Sequence, residues 1–119
     1  MHCLFCKIIK GEIPSLSIYE DDIVKVVFDI NPKSTGHCLV ITKKHYQDAF
    51  DIDRETITYI YSNIVPKIYS LLKEKLNIEG LSIAQNNGLS QDIKHYHVHL
   101  IPNYSKKDIK KPDEIISNF

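Results

Sequence analysis

Three histidines alternate with aromatic and aliphatic residues in the segment from His95 to Leu100. Alternate side chains of a β-strand point to opposite faces of the sheet, so this period of two residues predicts a strand. One face of the strand then carries the three imidazoles in a row. The other face sends Tyr96, Val98 and Leu100 into a hydrophobic core.

An amphipathic helix is predicted from about Arg54 to Leu76, where apolar residues recur at steps of three and four. Asp53 comes directly before it and carries a side chain suited to an N-cap. Pro66 lies inside the stripe and has no backbone N–H, so we expect it to kink the helix without ending it. The apolar positions are Ile57, Ile60, Tyr61, Ile64, Ile68, Leu71 and Leu72.

Shorter elements surround this helix. Residues 3–10 are apolar at helical spacing and stop at Gly11, which predicts a short helix. Together these elements predict an α+β domain, an antiparallel sheet of about five strands with one long and one short helix. A face of so small a sheet could be covered by a second copy of the chain. Runs of β-branched and aromatic residues predict the strands at 18–19, 23–28, 37–42, 81–85 and 94–102.

The chain length of 119 residues, of which 43% are hydrophobic, suits a single domain over residues 1–119. We expect its core within about residues 3–104. The segment 105–119 is rich in lysine. We expect it to be a loose tail, or an arm that becomes ordered on a partner.

Charge and cysteine content restrict the class of protein. Fifteen Lys and Arg balance fifteen Asp and Glu, which predicts no general affinity for nucleic acid or for an anionic membrane. No apolar run approaches the roughly 20 residues of a membrane span, and the first residues lack the apolar stretch of a signal peptide. We therefore expect a cytoplasmic protein in which Cys3, Cys6 and Cys38 are not in structural disulfides.

Two kinds of chemistry suit the histidine strand. In one, the imidazoles bind a metal ion, because His-x-His on a strand provides two zinc ligands and a third leaves an open catalytic position. In the other, the central imidazole of His97 is a nucleophile, and its neighbours set its tautomer and bind phosphate oxygens. A nitrogen coordinated to zinc has no lone pair for attack, so His97 cannot easily do both.

The pair Cys3-x-x-Cys6 suggests a division of labour. A tetrahedral structural zinc takes four nitrogen or sulfur ligands, so two cysteines need two histidines from elsewhere in the chain. His45 and His95 are the candidates. Such a site would attach the amino-terminal helix to the sheet and leave His97 uncoordinated.

The pattern His95-Tyr96-His97-Val98-His99-Leu100-Ile101 resembles the signature of the histidine triad family. Three further segments, residues 3–15, 28–32 and 36–45, resemble the Hint-like branch of that family, including its bacterial members with an amino-terminal Cys-x-x-Cys. The resemblance extends from residue 3 to about residue 104. It implies the fold of that family, a homodimer, and a nucleotide hydrolase or transferase that needs no metal for catalysis.

The resemblance also implies roles for individual residues. His97 would be the nucleophile that takes up a nucleoside monophosphate, with His99 near the phosphate and leaving group and His95 as the outer member of the triad. Asp29 would bind the ribose hydroxyls of a purine nucleotide. The expected zinc ligands are Cys3, Cys6, His45 and His95. The other expected nucleotide contacts are Phe5, Ile9, Phe28, Ile30, Asn86 and Gln91.

Two features depart from the family pattern. The loop between Gly88 and His95 is shorter than usual for the branch, and Asp92 stands where a small hydroxyl residue is common. A carboxylate at that position would repel a phosphate unless it pointed away.

Several activities remain open at this point. Within the triad chemistry, the leaving group separates a nucleoside phosphoramidase, which the Hint-like beginning favours, from a dinucleoside polyphosphate hydrolase. Outside it stand a hydrolase with all three histidines on one zinc and a nucleotide-binding module without turnover.

Overall fold

The computed structural model describes residues 3–119, so the part of the predicted domain that falls on Met1 and His2 lies outside the described residues. The strands are β1 (Ser17–Glu20), β2 (Val24–Phe28), β3 (Cys38–Thr42), β4 (Gly80–Ala84) and β5 (His97–Asn103). The helices are α1 (Leu4–Ile9), α2 (Arg54–Tyr59), α3 (Val65–Leu76) and α4 (Pro112–Ile115), with a π-helical turn at Ile60–Ile64 and 3₁₀ turns at Gly88–Ser90 and Ile116–Asn118.

The five strands form one antiparallel sheet in the order β1-β2-β3-β5-β4, so the predicted α+β class and strand number are confirmed. β3 and β5 lie side by side, with Leu39 opposite His99 and Ile41 opposite His97. The register begins at His97, because His95 and Tyr96 bond instead to the carbonyls of Ile93 and Tyr46. Residues 92–95 form bends, so β5 begins at His97 and not at the predicted residue 94.

The long helix covers one face of the sheet. Ile60, Ile64, Ile68 and Leu72 are completely buried, as their spacing predicts. The distortion expected at Pro66 appears as the π-helical turn just before it, in which the Val65 N–H reaches back to the carbonyl of Ile60. Pro66 itself sits in the first turn of α3, where its missing N–H costs least.

The carboxyl-terminal segment corrects a prediction, because it is folded against the domain. Ile115 is only 2% exposed, and the ring of Phe119 packs edge-on against Phe28 with centroids 5.2 Å apart. The Thr35 hydroxyl donates to the carbonyl of Asp108 and accepts from the N–H of Lys110. The expectation of a loose tail was wrong, because this lysine-rich segment also contains apolar residues. Ile115 and Phe119 pack into the core on the helix-covered face of the sheet.

The opposite face of the sheet is covered by α1. Cys3, Phe5 and Ile8 pack there on Val27, Leu39 and Ile41 in a second, smaller apolar cluster. β3 is buried on both faces as a result. Across residues 3–119, no helix is both long and apolar enough to span a lipid bilayer.

Candidate active site

The three triad histidines lie on the α1 face of the sheet, and each has a different partner. His95 and His97 are buried and His99 is half-buried. The rings of His97 and His99 stand 5.0 Å apart between centroids. Their nitrogens bond respectively to a cysteine cluster, to a backbone carbonyl and to another histidine. These partners decide which nitrogen of each ring carries the proton.

His97 has its Nδ1 placed 2.7 Å from the carbonyl oxygen of His95. A carbonyl can only accept a hydrogen bond, so Nδ1 carries the proton and Nε2 keeps a lone pair. The ring of Phe5 packs edge-on against it at 4.8 Å. Burial lowers the pKa of His97, although the His95 carbonyl and the charges of Asp92 and Asp29 act in the opposite direction. The imidazole is therefore neutral and nucleophilic near pH 7.

A cavity of about 300 Å³ opens next to His97 and His99. Its walls are mostly apolar and also include a few polar side chains, which is the usual character of a small-molecule site. Of the residues predicted to contact a nucleotide, those that line it are Phe5, Phe28, Asp29, Ile30, His97 and His99.

Asp29 follows β2 and lines this cavity together with His97 and His99. Its Oδ1 accepts the N–H of Asn31 at 2.9 Å, which orients the carboxylate. Its Oδ2 lies 3.6 Å from His37 Nε2 and is free to accept from a ligand. A carboxylate held in this way suits two neighbouring hydroxyl donors.

Three other predicted contacts are not among the residues that line the cavity, which are drawn from the described part of the chain. Ile9 packs in the apolar cluster under α1. Gln91 is 4% exposed, and its side-chain amide donates to the carbonyl of Gln47. It therefore links its own loop to the segment that contains Gln47. Asn86 follows β4, and its carbonyl accepts from the side chain of Gln85.

Asp92 is exposed and lines the cavity beside His97. It also borders an adjoining hollow of about 460 Å³ that reaches Cys3 and His45. The small hydroxyl residue common in the family is thus replaced here by an acidic residue at the wall of the cavity. Its negative charge acts on His97 in the same direction as that of Asp29, against the effect of burial on the His97 pKa.

The predicted metal ligands come together. Cys3 Sγ lies 3.2 Å from His95 Nδ1, Cys6 Sγ lies 3.2 Å from His45 Nδ1, and Cys6 Sγ lies 3.5 Å from His95 Nδ1. All four donor atoms lie within 4.8 Å of one another. Tetrahedral zinc with two sulfur and two nitrogen ligands separates sulfur from nitrogen by roughly 3.5 Å, so the spacing fits.

The protonation of His95 fits a metal ion as well. Its Nε2 lies 2.7 Å from the carbonyl oxygen of Thr42, so Nε2 carries the proton and Nδ1 presents a lone pair to the two sulfurs. Burial lowers the pKa of His95 to about 4, which keeps the ring neutral at pH 7. The cluster of Cys3, Cys6, His45 and His95 can thus bind a metal ion.

The three triad imidazoles do not form one ligand cluster among the described residues. His95 belongs to the cysteine cluster, His99 lies with His37 and Asp29, and His97 belongs to neither. This separation disfavours a single catalytic zinc held by the whole triad.

His37 is a residue of the site that the sequence analysis missed. It directly precedes β3, is 1% exposed, and contacts His99. The signal was present in the alternation of the third strand, because His37 shares its parity with Leu39 and Ile41 on the α1 face. An isolated histidine at the start of a strand does not by itself indicate a site.

Comparisons with known proteins agree with this geometry. A family model described as HIT domain matches residues 10–106. A protein named Protein hit from Bacillus subtilis is 40% identical over 109 residues, which cover 90% of this chain and 74% of that protein.

Two relatives have names that state an activity. The adenosine 5'-monophosphoramidase of Saccharomyces cerevisiae is 37% identical over 107 residues, covering 88% of this chain and 65% of that protein. The adenylylsulfatase of Arabidopsis thaliana is 38% identical over 102 residues, covering 84% of this chain and 51% of that protein.

A solved structure supports the fold. The zinc-bound histidine triad family protein from Mycobacterium smegmatis superposes with a TM-score of 0.86 at 31% identity, covering 98% of this chain and 91% of that one.

Proposed function

The chain belongs to the HIT domain family, and on that premise we propose that it is a nucleotide hydrolase or transferase in which His97 is the nucleophile. The single observation that carries the proposal is the bond from His97 Nδ1 to the His95 carbonyl, which leaves the Nε2 lone pair free. His97 lines a cavity that also holds Asp29 and apolar side chains. A nucleophile and a nucleoside pocket therefore share one space.

The reaction has two displacement steps. His97 Nε2 attacks the α-phosphorus, an N–P bond forms, and the bond from phosphorus to the leaving group breaks. A departing amine takes one proton from solvent. Water then attacks the phosphorus of the nucleotidyl-histidine, the N–P bond breaks, the water gives one proton to solvent, and the nucleoside monophosphate leaves. The rigid strand that carries His97 favours in-line attack.

We propose a nucleoside phosphoramidate as the preferred substrate. The relative named adenosine 5'-monophosphoramidase supports this choice, and the relative named adenylylsulfatase indicates that the family varies its leaving group. Dinucleoside polyphosphates are the alternative within the same chemistry.

The nucleoside would lie with its ribose hydroxyls on the free oxygen of Asp29. Its base would pack among Phe5, Phe28 and Ile30, of which Ile30 is largely exposed without a ligand. A purine offers the larger apolar surface to this lining, so we propose a purine nucleotide.

The metal cluster would hold a structural zinc. The ion would cross-link α1 to the sheet through Cys3, Cys6, His45 and His95. It would also fix the position of His95, whose carbonyl sets the tautomer of His97. The catalytic steps themselves need no metal.

We also propose an oligomeric state and a cellular compartment for the protein. β4 is an edge strand with Ile83 exposed, and we propose that the protein is a homodimer; light scattering of the purified protein tests this. Cys3, Cys6 and Cys38 are not joined by disulfides, which suits a reducing compartment such as the cytoplasm.

Mass spectrometry after rapid acid-free quenching tests the nucleophile. Protein mixed with an adenosine phosphoramidate in less than one turnover should carry one adenylyl group on the peptide containing His97. The His97→Asn protein treated in the same way should carry none. An adduct on another residue, or turnover without any adduct, would contradict the assignment.

A further inference from the structure

Asp92 lies where two neighbouring cavities meet. It lines the cavity of about 300 Å³ that contains His97, and it also lines the adjoining hollow of about 460 Å³. Leu4 and Ile93 are shared by the two spaces in the same way. A molecule bound next to His97 can therefore extend past Asp92 into the hollow.

The charged residues of the catalytic cavity are acidic. Among the described residues that line it are Asp29 and Asp92, and none is a lysine or an arginine. Burial lowers the pKa of His97, against the effects of the His95 carbonyl and of these two carboxylates. Of the two carboxylates, Asp92 has the larger effect. A phosphate next to His97 would thus meet two negative charges and no ammonium or guanidinium group.

Asp92 has no ionic partner in the part of the chain that the structure describes, where the ion pairs join other side chains. Lys94 also lines the hollow, but its ammonium donates to the carbonyl of Gly88. Asp92 is exposed. Its negative charge is therefore available to a ligand.

The proposed nucleoside pocket sets the direction of the rest of the substrate. Ribose and base would occupy the side of the cavity with Phe28, Asp29 and Ile30, none of which lines the hollow. With the α-phosphate at His97, the leaving group then extends away from that side. The hollow beyond Asp92 offers it space, and the passage into the hollow is acidic.

We propose that Asp92 and the hollow beyond it form a leaving-group subsite that selects phosphoramidates of cationic amines, such as diamines. The inference rests on the proposed function, because it assigns the leaving group of that reaction. Such a substrate carries a negative charge on its phosphate and a positive charge at the far end of its amine. The positive charge pairs with Asp92, whereas a second phosphate in the same place would be repelled by it.

The chemical steps leave the distal ammonium intact. His97 Nε2 forms a bond to the α-phosphorus, the bond from phosphorus to the amine nitrogen breaks, and that nitrogen takes one proton from solvent. The far ammonium keeps its protons throughout, so it pairs with Asp92 equally in the bound substrate and in the transition state. An interaction of this kind lowers KM and leaves kcat nearly unchanged.

Three adenosine phosphoramidates with four-carbon amines test the subsite. Their amines are 1,4-diaminobutane, n-butylamine and 4-aminobutanoate, so the far end is cationic, neutral or anionic. In the wild type, kcat/KM for the cationic substrate should exceed that for the neutral one by about two- to fivefold, the range for an exposed ion pair. The difference should lie in KM, and the anionic substrate should be the poorest of the three.

Substitution of Asp92 should change this order. Asp92→Asn keeps the size and removes the charge, so the ratio of cationic to neutral substrate should fall to about one. Asp92→Lys should favour the anionic substrate. Asp22→Asn is the matched control, because Asp22 is exposed between β1 and β2 and lines neither space. It removes the same charge and should keep the wild-type ratio, and circular dichroism checks that each variant is folded.

Salt gives a second measure of the same pairing. At about 0.5 M salt the wild-type ratio should move towards one, because the Debye length becomes comparable to the length of an ion pair. A wild-type ratio of one at low salt, an unchanged ratio in Asp92→Asn, or an equal loss in Asp22→Asn would overturn the proposal.

Binding to a protein without the nucleophile separates this inference from the proposed function. Calorimetry with His97→Asn should give Kd values in the same order, and the added Asp92→Asn change should remove the difference. That order, found without turnover or adduct in the wild type, would support the subsite and refute the proposed function. Turnover through His97 with equal kcat/KM for all three amines would refute the subsite alone.

Discussion

The two faces of the segment from His95 to Leu100 differ in what they bury. Tyr96, Val98 and Leu100 lie under the long helix in an apolar core. His95 and His97, on the other face, are also buried. His95 Nε2 bonds to the carbonyl of Thr42, and His97 Nδ1 bonds to the carbonyl of His95. The helix-covered face contributes stability through area removed from water. The α1 face uses burial to set protonation, and its cost is met by hydrogen bonds or a metal ion.

The largest effect on activity is expected when the proposed nucleophile is replaced. His97→Asn keeps a donor near the His95 carbonyl but removes the attacking nitrogen. We expect kcat to fall by a factor of about 1,000 or more. The melting temperature should change by only a few degrees. Residual turnover above a few per cent in a folded variant would contradict the role.

Truncating a core side chain on the helix-covered face should lower the stability of the protein and leave its activity unchanged. Ile68→Ala removes a completely buried side chain from the helix-covered core and should lower the free energy of unfolding by about 2–5 kcal/mol. Values of kcat and KM, measured well below the new melting temperature, should match wild type. Urea unfolding monitored by circular dichroism measures the first quantity. A large kinetic effect would show that the two faces are not independent.

Removing a proposed metal ligand should lower the stability of the protein and reduce kcat only moderately. Cys6→Ser should reduce the zinc content measured by elemental analysis and lower the free energy of unfolding by about 2 kcal/mol or more. Because the proposed mechanism gives the ion no part in the chemical steps, we expect kcat to fall less than tenfold. Cys38→Ala, which removes a buried cysteine outside the cluster, is the control and should keep its zinc.

The smallest effect is expected from the exposed carboxylate. Asp92→Asn should raise kcat/KM for a dinucleoside polyphosphate by about two- to fivefold, because it removes an exposed like charge near the phosphates. An adenosine phosphoramidate with a cationic amine should gain less. Steady-state assays of both substrates at two salt concentrations measure the difference. Equal gains for both would show that the charge is not what matters.

Much of the site could be predicted from the sequence, because the signals are local. The period of two residues places His95, His97 and His99 on one face and Tyr96, Val98 and Leu100 on the other. The pair of cysteines needs two more ligands of a known kind, and His45 and His95 are where such ligands were expected. Apolar spacing likewise predicted the helix, and the missing N–H of Pro66 predicted its irregularity.

The remaining features depend on residues far apart in the chain. Gln91 turns to the Gln47 carbonyl, and Ile115 enters the helix-covered core although lysines surround its segment. Each outcome is a competition between partners that become neighbours only after folding. No local sequence pattern indicates which of these partners a side chain contacts in the folded protein.

The sequence alone therefore determined which side chains share the α1 face of the sheet and which four residues can bind a metal ion. Only the tertiary structure decided the protonation of His95 and His97, because the deciding groups are the carbonyls of Thr42 and His95. Side-chain periodicity follows from backbone geometry within a few residues. A tautomer follows from the direction of a hydrogen bond, which is known only when the whole chain is in place.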